Sequence, residues 1–438
     1  MARFVALSLI IDIDPDEEHI LLGDDDKLPP PASPARQRWL YHETLHLWQQ
    51  ASARFLIRCT EEDWSRMRRH EQGGGRQPDN AVAAEYTRVD ADATFSALDL
   101  QECLTRYWEL QAFDPLTVLT EEVAFRRVDE KLRERRQRFW ESPAQHMEMP
   151  LLLAMELAGG RNARAFLSLV EGAGAATAIG LFPLAAFFAL QTDAPVRFYT
   201  RLLGLALQDL ESPPLAPNPA NLRQTWFSSV RRRADELHLE MFGTGLDFGM
   251  DVLRRSGLLE HPGYAYLLER LENFVAQATQ VHSFLDATLQ QHPGLVSDLE
   301  RRSRELMARY DDTARATIAA IGRQEGQRYE PRQSVERAET SSLRQQPGAP
   351  VARELPTPRW LTEFVVACPQ GAKSGFVPGD PTTVLSDHLV PPCIRAGQRI
   401  VPSFPLLVQR YAGATELANH CLDVESRWLR FREAHRPF

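Results

Sequence analysis

The feature that most constrains this chain is a polar trio inside an apolar helix. Between Trp39 and Ala53 the only strongly ionisable side chains are His42, Glu43 and His46, and Leu40, Leu45, Leu47 and Trp48 surround them. Apolar residues on most sides of a helix mark it as buried. Two histidines and a glutamate in such a helix are costly unless paired or ligated. In His42-Glu43-Thr44-Leu45-His46 the two imidazoles lie one turn apart on one face, a spacing that lets both bind one zinc ion. Glu43 then lies within reach of a water on that ion and can take its proton as general base. A pair of satisfied core histidines is the competing account. It must explain three buried polar groups that one metal explains together.

The helix carrying the trio has a clear start, with Ser33 as N-cap and Pro34 at the first helical position. Its pattern runs to about Arg58. Before it, Phe4–Ile13 reads as a strand, followed by a polar, proline-rich loop from Gly23 to Ser33. A glycine-rich loop follows at Gly73-Gly74-Gly75. Ser96-Ala97-Leu98-Asp99 has the form of a capping box and opens a helix to about Phe113. Asp114-Pro115 opens another, to about Trp140. From Met149 to Arg323 the pattern is helical, with breaks near Gly159-Gly160, Pro213–Pro219 and His261-Pro262-Gly263. Gly172–Leu190 carries no charged residue, but it is rich in glycine and alanine and holds Pro183. It reads as a buried helical hairpin, with a new helix starting at Leu181-Phe182-Pro183-Leu184, rather than as a membrane span.

The fold expected is mainly α, of an α+β kind, with a small N-terminal strand element beside the metal helix. The divisions expected are a metal-binding region over 1–145, a helical region over 146–325, a polar linker over 326–358 and a C-terminal region over 359–438. In the last, Phe364-Val365-Val366 and Ile400-Val401 are candidate strands. At 438 residues and 43% apolar the chain can bury a core without disulfides. Its five cysteines, Cys59, Cys103, Cys368, Cys393 and Cys421, include no Cys-x-x-Cys pair. They imply a reducing, cytoplasmic setting. No paired short spacing supports a second zinc site among Cys368, His388, Cys393, His420 and Cys421. A net charge of -9 excludes nucleic acid as the main partner, and Arg231-Arg232-Arg233 reads as a solvated helix face.

Trp39-Leu40-Tyr41-His42-Glu43-Thr44-Leu45-His46-Leu47-Trp48 resembles the zinc helix of the zincin metallopeptidases. The resemblance is strong over about 25 residues and loose over the first 140. It implies a zinc peptidase acting on a peptide or protein substrate, with His42 and His46 as ligands and Glu43 as general base. The metzincin extension is absent, because Leu47-Trp48-Gln49-Gln50 continues the helix. The likeness is therefore gluzincin-like, and a glutamate on a later helix is expected as third ligand. Glu102, in Asp99-Leu100-Gln101-Glu102-Cys103-Leu104, resembles the box that supplies it and is favoured, although Asp99, Arg106 and Glu109 share its face as a solvated stripe would. Glu121 is the alternative, on an apolar face with Val118, Phe125, Val128 and Leu132. Tyr107 and Arg106 are candidate transition-state donors, and Asp99 or Glu109 candidate partners of a ligating histidine. In zincins the strand beside the helix pairs with an extended substrate, and the helical block and tail would complete the cleft or bind a protein partner. Two other functions stay open: a helical interaction scaffold with a structural or vestigial metal site, and a hydrolase of a non-peptide amide.

Overall fold

The computed structural model describes residues 2–13, 34–75, 78–89, 95–112, 175–210, 219–272, 393–396, 399–402 and 414–435, with 276 and 291. The fold is mainly α. Its described helices are α1 (Pro34–Ser52), α2 (Arg54–Glu71), α3 (Ala81–Thr87), α4 (Ala97–Ala112), α5 (Ala175–Ala189), α6 (Pro195–Leu210), α7 (Pro219–Phe242), α8 (Gly249–Arg255) and α9 (Ala414–Ala434), with a 3-10 turn at Gly257–Glu260 and a helical stretch over 262–272. Among these none is long and apolar enough to cross a membrane. The strands are β1 (Ala2–Val5), β2 (Ile10–Ile13), β3 (Cys393–Ala396) and β4 (Arg399–Pro402).

The chain divides into two compact units. One comprises Met1–Gln101, Leu184–Gln280 and Arg353–Phe438; the other comprises Glu102–Pro183 and Val281–Ala352. In the second unit the described parts are the C-terminal part of α4, the first half of α5 and residue 291, and the Tyr107 and Phe182 rings lie 5.9 Å apart. The expected linker over 326–358, the helix from Asp114, the break at Gly159-Gly160 and the Phe364 cluster lie outside the described residues, as do Ser33, Cys368 and His388.

In the first unit the four strands form one sheet in the order β1-β2-β3-β4. The strand expected over Phe4–Ile13 is in fact two, β1 and β2, paired antiparallel with Phe4 opposite Ile11. β2 then pairs in parallel with β3, Ile10 against Cys393, and β4 contains Ile400-Val401. The turn between β1 and β2 has no glycine, and Leu9 takes φ 58°, a left-handed conformation costing roughly 1–2 kcal/mol. Tertiary contacts hold it there. The Leu9 amide donates to Val5 at 2.8 Å, the Tyr264 hydroxyl to the Ala6 carbonyl at 2.8 Å, and the His261 ring to the Leu7 carbonyl at 3.0 Å. Ser8 donates to Glu425 of α9 at 2.7 Å. Ile10, Tyr266, Leu417, Ala418 and Cys421 pack together beside this turn.

The helix that carries His42 and His46 ends at Ser52, not at Arg58. Ala53 is extended at φ -103°, ψ 113°, and α2 starts at Arg54. No proline or glycine stands at this break in the sequence. Gly249 packs so closely that a Cβ on it would lie 2.1 Å from the Ser52 carbonyl oxygen. The amides freed at the start of α2 are taken up by the turn that follows α5: Arg54 donates to Gln191 Oε1 at 3.2 Å and Phe55 to the Leu190 carbonyl at 3.0 Å. Gln191 Oε1 also accepts from the Gly249 amide at 2.8 Å, so one carboxamide ties α2, α5 and α8 together.

Pro183 does not open a new helix, because α5 runs through it from Ala175 to Ala189. The lost hydrogen bond costs about 3 kcal/mol. Leu181, Phe182, Phe187 and Phe188 are all buried, and each returns about 1.5–3 kcal/mol. Arg231 pairs with Asp235 and both Arg232 and Arg233 with Asp209 of α6, which keeps the surface placement expected for this arginine run.

Candidate metal centre

Every residue of α1 from His42 to Ser52 is buried. β1, α2 and α8 pack against this helix, so its polar residues must find partners within the protein. His42 and His46 project one turn apart, with ring centroids 4.9 Å apart and planes at 81°. Their Nε2 atoms face each other at 3.3 Å. Two imidazoles on a tetrahedral zinc, at about 2.0–2.1 Å from the metal, have their nitrogens about 3.3–3.4 Å apart. The pair therefore already has the spacing of one tetrahedral edge.

The helix that supplies the third group is fixed by its cap. The Ser96 hydroxyl and amide both donate to Asp99 Oδ2, at 2.8 and 2.9 Å, and the Asp99 amide donates back to Ser96 Oγ at 3.2 Å. This is the capping box read from the sequence. Asp99 Oδ2 therefore serves the helix start. Asp99 is buried and Glu102 and Arg106 are half-buried, so the described part of this face is no solvated stripe. Glu102, half-buried, joins His42 and His46 in a group whose ligand atoms all lie within 4.8 Å of one another. Two imidazoles and a carboxylate are a donor set that zinc takes with one position left open. Among the described residues this is the group of three or more such side chains able to hold an ion.

Glu43 is buried on the same helix, and its Oε2 accepts a hydrogen bond from the Phe4 amide of β1 at 2.7 Å. Tyr107 is buried with its ring toward Phe182, and Arg106 is half-buried on the same helix. Glu121 and the Glu109 side chain lie outside the described residues. The buried carboxamides of Gln49 and Gln101, which both reach His46 Nδ1, were missed. The signal available was Gln49-Gln50 itself, two polar side chains in a helix otherwise read as buried. The Phe4 amide had no sequence signal, since any non-proline residue offers one.

These features define a mainly helical chain with a His-His-Glu candidate metal centre on two helices. No family model, no curated protein and no solved structure matches it.

Proposed function

We propose that the chain is a zinc-dependent hydrolase of the zincin type, gluzincin-like, that cleaves peptide bonds. The observation that carries the reading is the convergence of Glu102 on two imidazoles already 3.3 Å apart, with Glu43 between them in the sequence. His42, His46 and Glu102 would hold the ion. Bound zinc supplies Lewis acidity, which brings the pKa of a coordinated water to about 7. Glu43 accepts the proton from the attacking water and passes it to the leaving amine. Burial of α1 keeps bulk water from competing for these groups. Free cysteines at Cys59, Cys103 and Cys421 support a reducing, cytoplasmic setting.

One observation favours a second reading, a scaffold whose ion is structural. Glu43 is engaged by the chain's own β1 amide, so its carboxylate also acts as a tether between strand and helix. Metal analysis with peptidase assay of Glu43→Gln separates the two. The hydrolase reading expects zinc in both proteins and cleavage only in the wild type. Wild-type protein that holds zinc and cleaves no peptide in a diverse peptide library supports the scaffold. Wild-type protein that holds no zinc refutes both.

A further inference from the structure

Two carboxamides converge on one nitrogen of His46. Gln49 Oε1 and Gln101 Nε2 each lie 3.2 Å from His46 Nδ1. The far end of each amide is engaged elsewhere. Gln49 donates through Nε2 to the Gln101 backbone carbonyl at 3.4 Å, which leaves its oxygen for His46. The Tyr86 hydroxyl donates to Gln101 Oε1, which leaves the Gln101 amide nitrogen for His46. One neighbour therefore only accepts and the other only donates.

A neutral imidazole has one proton for two nitrogens, so Nδ1 satisfies one of these neighbours at a time. The proton's position also decides what His46 Nε2 can do, and Nε2 is the atom facing His42. With the proton on Nδ1, that N–H donates to Gln49 and Nε2 presents a lone pair to an ion. With the proton on Nε2, Gln101 donates to Nδ1 and the Nε2–H points at His42 Nε2, occupying the ion's place with an imidazole–imidazole hydrogen bond.

We propose that Gln49 and Gln101 form a tautomer switch on His46, in which Gln49 selects the metal-binding form and Gln101 the metal-free form. The two residues then act on zinc affinity in opposite directions. Both are positioning residues, since neither reaches the ion. The inference rests on His42 and His46 as ligands and is independent of peptide cleavage.

The test is zinc affinity of the full chain, by competition with a chromophoric chelator at neutral pH. Gln49→Met should weaken zinc binding about 10–100-fold, the usual effect of removing a ligand's outer partner. Gln49→Glu, which keeps the acceptor and strengthens it, should bind at least as tightly as wild type. Gln101→Met should bind more tightly by about three- to tenfold, the worth of one neutral hydrogen bond. A Gln101→Met chain that binds no more tightly than wild type, or a Gln49→Met chain that binds as well, overturns the switch. Failure of the wild type to bind zinc removes the ligand reading and the switch with it. Should a variant misfold, long-range proton–nitrogen spectra of histidine-labelled wild type decide the question. They should show His46 protonated on Nε2 without zinc and on Nδ1 with it, and the Nδ1 form in both states overturns the proposal.

Discussion

Lowering the pH from 7 to 4 should cost this fold about 3 kcal/mol through one residue, His261. Its ring has no exposed surface. Its Nδ1 accepts from the Gly263 amide at 2.9 Å, and its Nε2–H donates to the Leu7 carbonyl at 3.0 Å. Both nitrogens are used by the neutral ring, so an added proton has to displace the Gly263 donor. Burial, with the His420 ring 5.2 Å away, pushes its pKa down from 6.5 to about 4. Above pH 6.5 neither folded nor unfolded chain binds this proton, and the residue leaves stability unchanged. Below that the unfolded chain takes a proton that the native ring refuses, so stability falls as pH falls toward 4. A gap of that size, at 1.36 kcal/mol per pKa unit, gives about 3 kcal/mol at pH 4. Urea unfolding followed by tryptophan fluorescence, at pH 7 and pH 4, measures the loss. His261→Gln keeps polar groups at the site and cannot titrate, so the wild type should lose about 3 kcal/mol more than this variant between the two pH values. Equal losses in the two proteins would refute the assignment.

Three further outcomes follow from the same contacts. Gly249→Ala places a methyl 2.1 Å from the Ser52 carbonyl oxygen. Backbone must move, and urea unfolding should show a loss of about 3 kcal/mol or more; a variant within about 0.5 kcal/mol of wild type contradicts the close approach of α8 to the end of α1. Ser96→Ala removes the hydroxyl shared with Asp99 and should cost about 1 kcal/mol and weaken zinc binding, because the same turn carries Glu102. Chelation should destabilise the zinc-loaded protein by about 2.7 kcal/mol if free zinc stood at about 100 times its dissociation constant. Thermal unfolding with and without chelator, at stated metal concentration, checks it, and coincident curves count against a bound ion.

What could be read from the sequence was what nearby residues decide. The His42, Glu43 and His46 trio was legible because helix geometry alone puts the two rings on one face. The start of α4 was legible because Ser96 and Asp99 satisfy each other locally. The break after Ser52 was not, since the groups packed on it, Gln191 and Gly249, lie 137 or more residues further along the chain. The hairpin turn Ala6-Leu7-Ser8-Leu9 lacks any turn-favouring glycine, proline or asparagine, and its carbonyls are held by His261 and Tyr264. Pro183 was over-read as a helix start because the burial that outweighs it is a tertiary property. Glu102 came from the likeness of its neighbourhood to a known box; its approach to the histidines depends on how α4 meets α1. Gln49 and Gln101 were missed because their role is set by hydrogen-bond direction, which spacing does not carry.

β1 is where fold and site meet, and two substitutions there separate them. In the ladder with β2 a residue's N–H and C=O point to the same side, and the Phe4 amide points to Glu43. β1 ends the sheet order, so the Phe4 amide serves the carboxylate and not the sheet. Proline is tolerated at such an edge position. Measured against Phe4→Ala, which removes the same half-buried ring, Phe4→Pro should therefore cost about 1.5–3 kcal/mol, the worth of a hydrogen bond to a charged group, and leave zinc affinity unchanged. Glu43→Gln retains an oxygen that accepts from Phe4, so the tether survives as a neutral hydrogen bond and only about 1 kcal/mol is lost. The proposed base, however, is gone. Unfolding, zinc binding and cleavage measured on both variants give a crossed pattern if Glu43 serves as tether and base together: the larger stability loss in Phe4→Pro, the larger activity loss in Glu43→Gln. If Phe4→Pro is as stable as Phe4→Ala, the amide contributes nothing, and the coupling of β1 to α1 through Glu43 is refuted.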